Sequence, residues 1–163
     1  MHKDLENKKQ SIDKKEALIK CTNICSKAEY SIWDIREKLH KWGIESCNHE
    51  EIIEYLLKNN YINEERYAEC FVSEKFRISR WGKIKIGYAL RQKRVAEEYI
   101  SSAFETIDEE LYFETLKELL KAKSKGNISD FKKRASIYNF AVSRGFESEL
   151  INRVLREIEK DEN

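Results

Sequence analysis

The chain has 163 residues, 40% hydrophobic and 37% charged, with no proline, five glycines and a formal net charge of +1. That length suits one domain or a short array of small ones. No stretch approaches the roughly 18–20 apolar residues a membrane span needs, and the N-terminus lacks the apolar core of a secretory signal, so a soluble cytoplasmic protein is expected.

Residues 1–13 read as a partly disordered N-terminal tail. Beyond it nearly every segment carries helical periodicity. Asp13 precedes Ala17, Leu18 and Cys21, an apolar series that opens a first helix. "LHKWGI", Leu39 to Ile44, ends a second: Ile35 and Leu39 lead at i and i+4 into Gly43, and Ile44 can pack back on that helix. "ESCNHEE" follows as a connection, then a third pattern from Ile52 to Leu57.

The scheme then repeats. Asn63, an N-cap type, is followed by Glu64 and Glu65 and by Tyr67, Ala68, Phe71, Val72 and Phe76 on one face. "LRQKRV", Leu90 to Val95, closes the next helix at Arg94, with Ile86 and Leu90 before it, and Ile100 to Phe104 begins another. Asp108 with Glu109 and Glu110 opens a third round over Leu111, Tyr112, Leu116, Leu119 and Leu120. "KAKSKGN", Lys121 to Asn127, reads as a long mobile joint. "AVSRGF", Ala141 to Phe146, ends a helix at Gly145, and Leu150 to Leu155 follows. Gly43, Arg94 and Gly145 stand 51 residues apart each time (94 − 43 and 145 − 94). The expected fold is all-α: three tandem three-helix repeats, 14–62, 63–107 and 108–159, forming an elongated curved array. Units this small are marginal alone, so neighbours stack.

The neutral total conceals a polarised middle. From Phe71 to Arg94, Lys75, Arg77, Arg80, Lys83, Lys85, Arg91, Lys93 and Arg94 face only Glu74, a charge of +7. From Glu97 to Glu118 eight acids face only Lys117, a charge of −7. Those eight cations, with Trp81 among them, are the candidate surface for binding a partner or nucleic acid. Clustered guanidinium and ammonium groups focus an attractive potential, and an indole can stack on a base or fill a partner's pocket. The plainer alternative is a solvated helix face partly paired with the acidic stretch, with Trp81 a wedge between helices.

Other chemistry finds little support. Cys21-x3-Cys25 with Cys47-x-His49 matches no common zinc spacing, and Cys21 falls at a core position, so no metal is expected. No nucleophile has an evident base, and no glycine-rich phosphate loop occurs. Neither an active site nor a cofactor is expected. Trp33 and Trp42 read as packing residues, and Arg66 as one member of a helix-surface ion pair with Glu69 or another acid.

"YINEERYAECFVSEKFR", Tyr61 to Arg77, resembles the signature of the RecX family of recombination regulators: tyrosine, aliphatic, acidic or amide residues, then Arg66-Tyr67-Ala68. "GKIKIGYALRQKRV", Gly82 to Val95, is similar to that family's glycine-started second helix. Two positions depart from it. Arg94 stands where glycine is usual, so this helix end would do without the easy left-handed cap, and Lys83 replaces a proline. The resemblance covers about residues 14–159 and implies the triple three-helix repeat. It also implies a non-enzymatic protein that binds the RecA recombinase filament and mostly inhibits its ATP hydrolysis and strand exchange; a monomer is expected, with DNA contact secondary. A direct DNA-binding helical module is the alternative, since each unit has a helix-turn-helix outline.

Overall fold

The computed structural model describes residues 12–125, 128 and 130–161, and the regular elements among them are all α-helices. In chain order these are α1 (Lys14–Cys25), α2 (Ile32–Lys41), α3 (Ser46–Lys58), α4 (Glu64–Arg77), α5 (Lys83–Gln92), α6 (Glu97–Glu105), α7 (Glu109–Ser124), α8 (Phe131–Arg144) and α9 (Ser148–Asp161). Most of the expected N-terminal tail, residues 1–11, lies outside the described residues. Of its last two positions, Ile12 packs on apolar core and Asp13 caps α1.

The recurring helix start has one chemical cause. Asp13, Asn63 and Asp108 each accept, through Oδ1, the backbone N–H three residues on: Glu16 at 2.8 Å, Arg66 at 2.9 Å and Leu111 at 2.7 Å. Such a cap satisfies an amide that the helix leaves unpaired and stabilises by about 1 kcal/mol.

The recurring helix stop is equally uniform. Gly43, Arg94 and Gly145 have φ of 76°, 59° and 87°, all left-handed. The next amide in each case, from Ile44, Val95 or Phe146, donates to the carbonyl five residues back, Leu39, Leu90 or Ala141, at 3.0, 3.2 and 3.2 Å. Those three apolar residues are buried, as are Ile35, Ile86 and Ile137 earlier on the same stripes. Arg94 thus takes the left-handed turn that its side chain was expected to forgo. The bond from Val95 and the burial of that residue hold it there.

The described residues divide into two compact units, one ending at Tyr67 and the other beginning at Ala68. In the first, α1 and α2 pack on α3 around Ala17, Cys21, Ile35, Leu39, Ile52 and Leu56. In the second, α5 packs on α6, and α7 on α8 and α9, over Leu90, Ile100, Leu116, Leu120, Phe146 and Leu155.

Three local expectations are corrected. α3 begins at Ser46, so "ESCNHEE" is mostly helix. His49 is buried within it, its Nε2–H donating to the Ile44 carbonyl at 2.9 Å. α7 runs on through Ser124 and ends at left-handed Lys125, so Lys121 to Ser124 are not a joint; Gly126 and Asn127 lie outside the described residues. Leu111 is 46% exposed, because successive helical residues turn by about 100° and Tyr112 takes the inward position.

Candidate functional site

The signature residues from Glu64 to Tyr67 do structural work within the first unit. Glu64 Oε1 accepts from the Ile32 N–H at 2.9 Å, at the first turn of α2. The same turn carries a reciprocal capping box, Ser31 Oγ accepting from the Asp34 N–H at 3.1 Å and Asp34 from the Ser31 N–H at 3.2 Å. Tyr67 is buried against Ser31 and Asp34; burial first, then the Asp34 carboxylate, push its phenol pKa up. Burial likewise raises the Glu64 carboxyl, partly opposed by the Ile32 amide. Arg66 pairs through Nε with Glu29 at 2.5 Å rather than with Glu69, and its terminal nitrogens bind the Asn60 side-chain and backbone oxygens.

The basic centre belongs to α4, α5 and their connection. Several of its cations turn toward the acidic stretch: Arg80 meets Glu118 at 2.9 Å, Lys83 meets Glu109 at 2.5 Å, and Arg91 holds Glu97 through two bonds of 2.9 and 2.5 Å. The Arg91 bonds hold the Glu97 carboxyl below its ordinary range. Lys75 and Lys85 converge on Trp81, their ammonium groups 5.6 and 4.5 Å from its ring centroid. Lys75 also meets Glu74 at 2.9 Å, and Lys85 reaches the Ser143 carbonyl at 3.4 Å. The half-buried indole is therefore a cation platform at least as much as a wedge. Arg77 is exposed without a carboxylate partner among the described residues, beside a cleft of about 330 Å³ lined by Phe76, Leu111 and Cys70. Lys93 is half-buried and Arg94 exposed at the α5 terminus.

What the sequence reading missed is the apolar component of this surface. Ile78, Ile84 and Tyr88 are 79%, 56% and 64% exposed. Ile84 and Tyr88 lie one turn apart on α5, offset by two positions from the buried pair Ile86 and Leu90. That offset was readable in the sequence as a second apolar stripe.

The connection before α5 is fixed by close backbone approach. A Cβ on Gly82 would lie 2.2 Å from the Gly145 carbonyl oxygen, and one on Gly145 would lie 2.3 Å from Lys85 Cβ. Backbone amides of Gly82 and Ile84 donate to the Arg144 and Gly145 carbonyls at 2.8 and 3.0 Å. Lys83, at the position where proline was the expected residue, uses the N–H that proline lacks to donate to the Tyr112 hydroxyl at 2.8 Å, and that hydroxyl donates to Glu147 at 2.7 Å. The Tyr112 ring stands between Phe76 and Phe146, with centroids 5.5 and 5.2 Å away.

No group of three or more His, Cys, Asp or Glu side chains is placed to hold a metal among the described residues, and no helix there is long and apolar enough to cross a membrane. Burial pushes the Cys21 thiol up to about 12 and the Cys25 thiol to about 11.

Models of the RecX second and third three-helix domains match residues 63–103 and 109–155. The regulatory protein RecX of Clostridium perfringens (strain 13 / Type A) is 28% identical over 167 residues, covering 98% of this chain and 77% of the relative. That of Clostridium botulinum (strain Eklund 17B / Type B) is 30% identical, covering 95% and 73%, and that of Vibrio parahaemolyticus is 30% identical, covering 89% and 91%. The crystal structure of RecX from Lactobacillus salivarius shares the fold, with a TM-score of 0.78 at 21% identity over 90% of this chain and 96% of that one.

Proposed function

This chain belongs to the RecX family of regulatory proteins, and from that premise we propose that it binds a RecA recombinase filament on DNA and inhibits the filament's ATP hydrolysis and strand exchange. It acts as a cytoplasmic monomer in DNA repair and recombination, needs no cofactor and performs no catalysis of its own. The observation that carries the reading is the mixed character of the α5 surface. Exposed Ile84 and Tyr88 sit between Lys83, Lys85 and Arg91, so apolar area and fixed charge alternate, as at contacts between proteins. Arg77, Trp81 and Lys85, with Lys75, Arg80, Lys93 and Arg94 around them, complete the proposed contact. Pairing of Arg80, Lys83 and Arg91 with acids lowers the free positive charge at this surface, and its exposed apolar residues favour a protein partner there over the DNA-module alternative.

The test is a titration into recombinase assembled on single-stranded DNA, following ATP hydrolysis. The wild type is expected to slow hydrolysis well below one molecule per recombinase subunit, and a Tyr88→Glu, Lys85→Glu variant is expected not to. Inhibition only after bare DNA is saturated would instead assign the effect to competition for DNA.

A further inference from the structure

Two exposed guanidinium groups without a carboxylate partner among the described residues lie outside the basic centre, on α9. Ile151, Val154, Leu155 and Ile158 are all fully buried, which fixes the rotation of this helix. Glu149, Asn152, Arg153 and Arg156, at i, i+3, i+4 and i+7, therefore share its outward side and, with Arg134 of α8, line an open cleft of about 580 Å³.

By sequence α9 is not basic. From Glu149 to Asp161 it carries four acids against Arg153, Arg156 and Lys160. The fold separates these charges. Glu157 and Asp161 bind Lys117, Asp161 also approaches Lys121, and Glu159 is held by Arg134. Arg153 and Arg156 are left exposed without a carboxylate partner among the described residues. The Arg153 guanidinium rests 4.8 Å from the Phe113 ring centroid, a cation–π contact that restrains it beside the cleft.

We propose that this cleft binds the phosphodiester backbone of a nucleic acid, Arg153 and Arg156 each donating to phosphate oxygens and Asn152 adding an amide donor. The planar fork of arginine matches phosphate oxygens. All five lining residues carry a charged or amide side chain, and backbone phosphates need only charge and donors. Glu149 opposes the ligand at one end and limits its affinity. The assignment does not rest on the filament reading, because the test contains no recombinase.

The test measures fluorescence anisotropy of labelled, mixed-sequence oligonucleotides, single-stranded and duplex in separate arms, with the full chain across a salt series. Arg153→Gln with Arg156→Gln is expected to weaken binding at low salt at least about tenfold. For single strands it should make the slope of log K against log salt shallower by about 1.4, two contacts at about 0.7 each. Glu149→Gln should tighten binding, a gain that damage to the fold would not produce; helical circular dichroism checks folding of all variants. The arm with the larger variant effect identifies the strand form. Unchanged slope and affinity in the double variant, or no wild-type binding at low salt, would overturn the proposal. So would polyglutamate displacing the oligonucleotide at equal charge concentration, which would give the cleft to an acidic protein segment.

Discussion

Replacing Tyr112 by Phe removes one oxygen and leaves the aromatic stack with Phe76 and Phe146 in place. The lost hydroxyl receives the Lys83 N–H at 2.8 Å and donates to Glu147 at 2.7 Å. A hydrogen bond to a charged acceptor is worth about 1.5–3 kcal/mol and a neutral one about 1 kcal/mol. Glu147 is only half-buried, so water replaces part of its loss, and Tyr112→Phe should cost about 2 kcal/mol. For a chain of this size that lowers Tm by roughly 4–8 °C, readable by calorimetry. There is also an alkaline signature. Burial, chiefly, raises the Tyr112 phenol above its ordinary value of about 10. With the folded pKa above the unfolded one, the native state holds its proton longer. The stabilisation is complete below about pH 10 and is lost as pH rises beyond it. The gap between wild type and Tyr112→Phe should therefore narrow above pH 10. A Tm change within about 1 °C at neutral pH, or a gap that widens with alkali, would refute this account.

Arg94→Gly should stabilise by about 1 kcal/mol, since a side chain at φ 59° is strained where glycine is not, whereas Gly145→Ala at φ 87° should fail to reach the native fold or unfold well below wild type; denaturant midpoints compare them. Arg66→Ala should cost about 1–3 kcal/mol, with little rescue by Arg66→Lys, because an ammonium cannot reproduce the fork between Glu29 and Asn60; chemical denaturation measures both. A chromogenic disulfide reagent at neutral pH should titrate exposed Cys47 and Cys70 rapidly. It should reach Cys21 and Cys25, whose thiols burial pushes up to about 12 and 11, only slowly or after unfolding.

The helical plan was legible because its signals are local. An acceptor side chain at Asp13, Asn63 or Asp108 caps a helix from three residues away, and an apolar residue after Gly43, Arg94 or Gly145 closes one from five. Periodicity also placed Cys21 in the core, where it is fully buried. Local patterns were less able to set boundaries. "ESCNHEE" reads as a connection, yet Glu50 pairs with Arg36 and His49 finds the Ile44 carbonyl, contacts that bring partners from outside the segment.

Charge shows the division most plainly. Composition alone determined that residues 71–94 carry +7 and residues 97–118 carry −7. Only the tertiary structure decided which charges remain available, because an ion pair depends on separation in space. Arg80 and Glu118 are 38 positions apart in the chain and 2.9 Å apart in the fold. The same geometry leaves Arg153 and Arg156 without a carboxylate partner among the described residues, on a helix whose sequence is net acidic. Helix starts and stops are set by neighbours within a turn or two and are written in the sequence. The electrostatic surface is set by which distant side chains packing brings within Coulomb reach, and it exists only once the chain has folded.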